Sequence, residues 1–423
     1  MLCVLGTALA LVSAQRADSP APPPSRADAP ARAATSADAA ARARSAGRLL
    51  GRLSRTLEHG TAAQVAGLAA TGDESARGEL VRLRANVRAL RVTGLSLRYL
   101  TAGSGGPGPA GVAGQRRPGA RTWVGDVLVR WRLRGYETAA AARGSRLEVP
   151  VTFRSTRGGV RFVTARRTHG RAVPLWLLAP VTATRTARAL VVSAGRVPAA
   201  TVHRISRLAD RAVVDVRRVL PRWRGPLVVE VPAGQRGLGR VLGTAADAYD
   251  EIAAVTTTAD GSGSPAAPVH VFVNPPVFDP LGPRASQIVM SHEATHVAVD
   301  AAVSSMPTWL LEGFADYVAL AHAGLPVAVT ASQVLARVRR QGPPAHLPDR
   351  RDFGVRTPSL GASYEAAWLA CRLLAATYGE HRLVAFYRTA DRDSSTTRAF
   401  HALGTDPASF TRLWRRDLRR LAG

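Results

Sequence analysis

Between residues 46 and 92, apolar side chains recur at helical spacing. Leu49, Leu50 and Leu53, then Leu80, Leu83, Val87 and Leu90, are separated by arginines and other polar residues. That is the period of helices with one buried face. The pattern then shortens. Leu95–Leu100, Thr122–Arg134, Leu147–Arg154 and Val160–Ala165 have strand character, and Gly158-Gly159 supplies a turn between the last two. A Gly/Pro-rich loop, Ala102–Gly119, separates the first two. From about residue 185 strand and helix alternate. Ala189–Val192, Leu227–Val231, Glu251–Thr258 and Val269–Val273 read as strands; Val202–Leu220 and Gly237–Ala248 read as helices. The fold class expected is α+β, with a helix-then-antiparallel-sheet module over residues 46–170 and a larger domain over residues 185–423.

The apolar periodicity of Ala285–Ala302, carried by Ile288, Val289, Ala294, Val297, Ala298 and Ala301 without an interrupting Pro or Gly, predicts a helix. It contains His292-Glu293-Ala294-Thr295-His296. Histidines four residues apart on a helix project from one face and can grip one metal ion. Glu293 lies one step round the same helix, placed to take a proton from an activated water. A second helix is expected after Pro307, whose ring suits a first turn. It carries Leu310, Leu311, Phe314, Val318 and Leu320 to a core, with Glu312 and Asp316 one turn apart. A carboxylate from this helix would complete three protein ligands and leave a fourth zinc position open, the arrangement of catalytic rather than structural sites.

These residues resemble the gluzincin group of zinc metallopeptidases, and most closely the bacterial peptidase MA-like domains, in which HE-x-x-H is followed by P-x-W-L-x-E-G-x-A. The match is strongest over residues 268–320 and looser from about 185 to the C-terminus. The resemblance implies one zinc ion held by His292, His296 and Glu312, with Glu293 as general base. Asp316 then resembles the carboxylate that orients the first histidine, since a ligating imidazole needs its other N–H held. Val269–Val273, directly before the metal helix, matches the strand that pairs with extended substrate in these enzymes; a core strand with no exposed edge is the alternative. The Tyr364-Glu365-Ala366-Ala367 helix resembles a Tyr-x-x-Ala helix of the same domains. Tyr364 is thus a candidate donor to the developing oxyanion, or else a packed core tyrosine. A metzincin would need Gly at 299 and His at 302, where this chain has Val299 and Ala302. A peptide deformylase would need a cysteine ligand just upstream of the helix, and the chain's two cysteines are Cys3 and Cys371.

Helices followed by a curved antiparallel sheet make residues 46–170 similar to the cone-shaped fold of nuclear transport factor two. His322, His381 and His401 lack a second ligand at helical spacing and are expected at the surface or in the core.

Composition adjusts this picture. The formal charge is +27 in 423 residues, which would ordinarily point to nucleic acid or an anionic surface. All the basic residues are arginine, they are spread along the chain, and aromatics are 5% of residues. Nucleic acid is therefore not an expected partner. A peptide or protein substrate is, together with weak attraction to anionic cell-envelope polymers. Residues 1–14 form an apolar run ending at Ser13-Ala14, too short for a membrane span, which needs about 20 residues. It reads as a signal peptide or truncated leader, so an exported, extracytoplasmic protein is expected. Residues 15–45 are Ala, Pro, Arg, Asp and Ser with few large apolar side chains and are expected as a disordered linker. Cys371 is expected to be buried and inert. The function expected is zinc-dependent peptide-bond hydrolysis. The alternative is a zinc-binding, catalytically silent cell-envelope interaction protein.

Overall fold

The computed structural model describes residues 29–100, 122–137, 144–165, 170–245, 247–354 and 357–423. The leader, residues 15–28 of the expected linker, the Ala102–Gly119 loop and Cys3 lie outside the described residues.

The chain opens with α1 (Ala29–His59), α2 (Ala62–Ala66) and α3 (Glu74–Leu90). Residues 29–45, expected as linker, belong to α1. Alanine and arginine are strong helix formers, and a helix already nucleated by the buried face of Ala46, Leu49, Leu50, Leu53 and Leu57 extends through such residues at little cost. A four-stranded antiparallel meander follows: β1 (Val92–Tyr99), β2 (Thr122–Leu133), β3 (Ser145–Thr156) and β4 (Gly159–Ala165), in spatial order β1-β2-β3-β4. Val127, Val129, Trp131 and Leu133 alternate into the core along β2, and the opposite face carries Arg130 and Arg132 outward.

The second part runs through α4 (Leu175–Leu178), β5 (Val181–Arg185), β6 (Ala189–Ala194), α5 (Ala199–Val219), β7 (Leu227–Val231), α6 (Gly234–Leu242), β8 (Ala254–Thr258) and β9 (Val269–Val273). The helical remainder is α7 (Pro275–Phe278), α8 (Pro283–Ala298), α9 (Thr308–Leu320), α10 (Val327–Thr330), α11 (Ser332–Gln341), α12 (Leu360–Tyr378), α13 (Glu380–Asp393), α14 (Thr397–His401) and α15 (Pro407–Ala422). The α+β class is therefore observed. The helix expected at Gly237–Ala248 stops at Leu242 because Gly243 takes a left-handed conformation, φ 71°, a common helix stop.

The second sheet has the order β5-β6-β7-β9-β8. β6, β7 and β9 are parallel neighbours, whereas β5 and β8 run antiparallel on the outside. Interior strands covered on both faces read as continuous apolar runs, as Leu227–Val231 does. β9 lies inside the sheet. Of the two alternatives for Val269–Val273, the interior one holds, and the edge beside the metal helix is β8.

One face of this sheet, with Val191, Val229 and Val271, packs on α5, α8, α9 and α12. The other face, with Leu190, Val192, Val228, Val255 and Phe272, shares a core with α1, α3 and the inner face of the first sheet. The N-terminal module is thus fused to the second sheet through apolar contact. Asn86 on α3 anchors the seam. Its buried amide donates to Trp176 O at 2.7 Å and Ala179 O at 2.8 Å, and its carbonyl accepts from Val181 N at 3.0 Å. Replacing Asn86 by Ala strands these buried groups. A loss of about 1–3 kcal/mol is expected, measured as a lower urea midpoint with both sheets still unfolding in one transition.

Candidate metal centre

α8 begins with Pro283 at its first turn, where the missing N–H is no loss, and ends at Val299. Asp300 then takes a left-handed backbone, φ 52°, which turns the chain towards α9. α9 packs across α8 and also against α12. The second contact explains Gly313: a Cβ there would lie 2.3 Å from Ala367 O and 3.1 Å from Cys371 Sγ. Only glycine lets α9 approach α12 this closely, and the neighbouring residue is Glu312. Cys371 is buried and free, as expected.

The two helices bring the expected ligands together. His292 Nε2 and His296 Nε2 are 3.0 Å apart. Glu312 Oε2 is 3.3 Å from the first and 3.4 Å from the second. All three side chains are buried, and among the described residues this is the group of His, Cys, Asp or Glu that could hold a metal ion. Ligands about 2.0–2.1 Å from a tetrahedral zinc ion stand about 3.3 Å from one another, which is the spacing here. Three ligands of the nitrogen and carboxylate type leave one corner of the tetrahedron open.

Unpaired buried polar atoms give an independent test of fit. Glu312 Oε2 and Glu293 Oε1 are buried without a directed hydrogen bond among the described residues. Stranded acceptors are expensive in a dry interior, and a cation between the imidazoles and Glu312 answers the first of them. Electrostatics agree. Burial alone would raise Glu312, yet the imidazoles of His296 and His292 overcome it and hold the carboxyl at about 2, down from 4.5. Burial works against a charged His292, but Asp316 and Glu312 override it and raise the imidazole well above 6.5.

Asp316, one turn after Glu312, sets its Oδ1 2.8 Å from His292 Nδ1. This fixes the ring plane and leaves Nε2 for a metal. Glu293 is fully buried on the same helix. Its Oε2 accepts from Thr256 Oγ1 at 2.5 Å, and burial raises its pKa above 4.5, partly opposed by His292 and His296. Thr256 lies on β8, and nothing local in Val255-Thr256-Thr257-Thr258 distinguishes it from an ordinary strand threonine; only its position across from α8 gives it this contact. Tyr364 on α12 is buried, its ring centroid 6.2 Å from His292 and edge-on to Phe353 at 5.0 Å. It therefore lines the site and packs in the core at once. His322, His381 and His401 are exposed and belong to no such cluster among the described residues.

No family model matches the chain, and no match was found among curated proteins or solved structures.

The ligand set predicts one zinc per chain, measured by atomic emission after dialysis, with Glu312→Ala losing most of it; full occupancy in that variant would place the third ligand elsewhere. A second expectation concerns protons. A raised His292 pKa stabilises the metal-free protein below pH 6.5, and that contribution disappears as pH rises through the folded value. At pH 7 zinc must therefore displace the Nε2 proton, and binding should release about one proton per ion. Calorimetry in buffers of different ionisation enthalpy reads this directly, and a buffer-independent heat would contradict it.

Proposed function

We propose that the protein is an exported gluzincin-type zinc metallopeptidase, similar to the peptidase MA-like domains, that hydrolyses peptide bonds. The observation that carries this reading is the His292–His296–Glu312 triangle with a buried carboxylate, Glu293, on the same helix but outside the triangle. A cage built only to hold a metal has no use for Glu293.

When bound, zinc acidifies a water and polarises the scissile carbonyl. The rest falls to the chain's own residues. Asp316 keeps His292 in the tautomer that presents Nε2. Thr256 ties down Oε2 of Glu293, so Oε1 is the oxygen left to receive the proton of the attacking water and pass it to the leaving amine. A carboxyl raised by burial holds that proton long enough to deliver it, as general acid–base catalysis near neutral pH requires. Tyr364 is the candidate donor to the developing oxyanion. An extracytoplasmic location belongs to the same reading and rests on the apolar run at residues 1–14. No helix among the described residues is long and apolar enough to cross a membrane.

One observation favours a second reading. His292, His296, Glu293 and Glu312 are each no more than 3% exposed, and enclosure of this kind suits a zinc-binding envelope protein without turnover. Glu293→Gln separates the two, because the amide keeps the size of the side chain and removes the base. The expected result is retained zinc with peptide cleavage lowered by at least about a hundredfold. Wild-type turnover in this variant assigns the chemistry to another group. Absence of cleavage by zinc-loaded wild-type protein across a diverse peptide library supports the silent alternative.

A further inference from the structure

A cleft of about 770 Å³ lies between the outer face of the first sheet and the β8 edge of the second. Its floor includes Thr256, the residue that holds Glu293. Its wall includes Arg98, Arg130, Arg146 and Arg171. From this arrangement we infer that the N-terminal module is the specificity wall of the peptidase site and selects polypeptide segments bearing Asp or Glu side chains. The inference rests on the peptidase reading above and adds the substrate class.

The wall has unneutralised charge. Arg130 and Arg146 are direct cross-strand partners between β2 and β3, and Arg98 lies diagonally across from Arg130 on β1. Like charges placed directly opposite in a sheet are unfavourable unless an anion sits between them. Among the described residues no carboxylate forms an ion pair with Arg98, Arg130 or Arg146; of the acids lining the cleft, Glu148 is 4.0 Å from Arg171. The other acid, Asp260, is buried and occupied by backbone, accepting from Arg146 N at 2.8 Å and Ser262 N at 3.0 Å. Those bonds also tie the arginine-bearing β3 to the loop after β8, which fixes the width of the cleft. Arg171 is held from the opposite side: the left-handed Gly243 and Gly261 both abut the backbone or side chain of Arg171-Ala172 closely enough that a Cβ would clash, at 2.4 and 2.3 Å.

The floor includes the outermost strand of the second sheet. Ala253 O accepts from Asn274 N and Ala259 N donates to Pro268 O, so the odd-numbered residues of this stretch bond to β9. Alternation then turns the N–H and C=O groups of Ala254, Thr256 and Thr258 away from β9, towards an outer side where these residues are buried, no more than 2% exposed. A peptide lying in the cleft would pass over this strand with its acidic side chains facing the arginines. Guanidinium groups hold carboxylates with charge-assisted and often bidentate bonds.

The test uses full-length zinc-loaded protein and paired peptides that differ only in Asp/Glu against Asn/Gln. Wild type is expected to cleave the acidic member with kcat/KM at least about tenfold higher, mainly through KM, with the gap closing as salt is raised. Arg130→Gln/Arg146→Gln should lose the preference and keep kcat. Arg207→Gln/Arg398→Gln, which lowers net charge equally at exposed positions on other elements, should retain it. A parallel binding arm measures anisotropy of the labelled peptides on zinc-loaded Glu293→Gln protein and so does not need turnover. Tighter binding of the acidic peptide, lost in the Arg130/Arg146 background, upholds the wall even if the protein proves catalytically silent. Equal affinity for acidic and amide peptides overturns the proposal. So does Arg130- and Arg146-dependent binding of polyglycerol phosphate or single-stranded DNA without the acidic peptide, which would assign the wall to a phosphate polymer.

Discussion

Two imidazoles and a carboxylate held within 3.4 Å of one another in a dry interior are the constraint around which the second half of the molecule is arranged. Such a cluster is costly without a compensating charge, and its geometry is set by how closely α8 and α9 approach. That approach is governed in turn by α12, against which Gly313 brings α9 to backbone contact. The glycine beside Glu312 is thus a packing requirement for the placement of that carboxylate, and Asp316 on the following turn is placed by the same approach. The remaining carboxylate, Glu293, is kept outside the triangle by its bond to β8. The three carboxylates are therefore separated by what each side chain meets: the imidazoles of α8 for Glu312 and Asp316, the outermost strand for Glu293.

The sheet also decides what lies beside this arrangement. Because β9 is interior and β8 is outermost, the strand that touches Glu293 is also the strand that borders the cleft. The N-terminal module does not float on a linker beside this edge. It shares a core with the back of the second sheet and is hydrogen-bonded to it through Asn86 and Asp260. The cleft between the module and β8 is therefore framed by packed and hydrogen-bonded elements, and charges on the module's outer face line the same cleft as Thr256.

Much of the site was legible in the chain because its information is local. The four-residue spacing of His292 and His296, and Glu312 one turn before Asp316, depend only on helical geometry, and the structure brings all of them together with Tyr364 beside them. The strands at Leu227–Val231 and Val269–Val273 were equally plain, as apolar runs between turn signals. What the chain did not disclose depends on contacts distant in sequence. Sheet order decides that Val269–Val273 is interior, and periodicity carries no record of which strand lies next to which. Thr256 has no local signature, since it is distinguished only by facing a helix 37 residues away. The basic wall was invisible for a related reason: arginines spread along the sequence converge through cross-strand register, so their uniform distribution concealed a patch. The helical start of α1 shows the opposite bias, an Ala/Arg-rich stretch whose want of apolar side chains suggested a tether although its helix propensity is high.

In the proposed enzyme three side chains hold one zinc ion and leave a corner free for chemistry. Anomalous diffraction at the zinc edge from crystals of the metal-loaded protein tests it most directly. A single peak is expected about 2.0–2.2 Å from His292 Nε2, His296 Nε2 and Glu312, with a solvent molecule completing the tetrahedron and Glu293 near it but not coordinating. A peak located elsewhere, or a zinc ion whose fourth ligand is Glu293 itself, would contradict it.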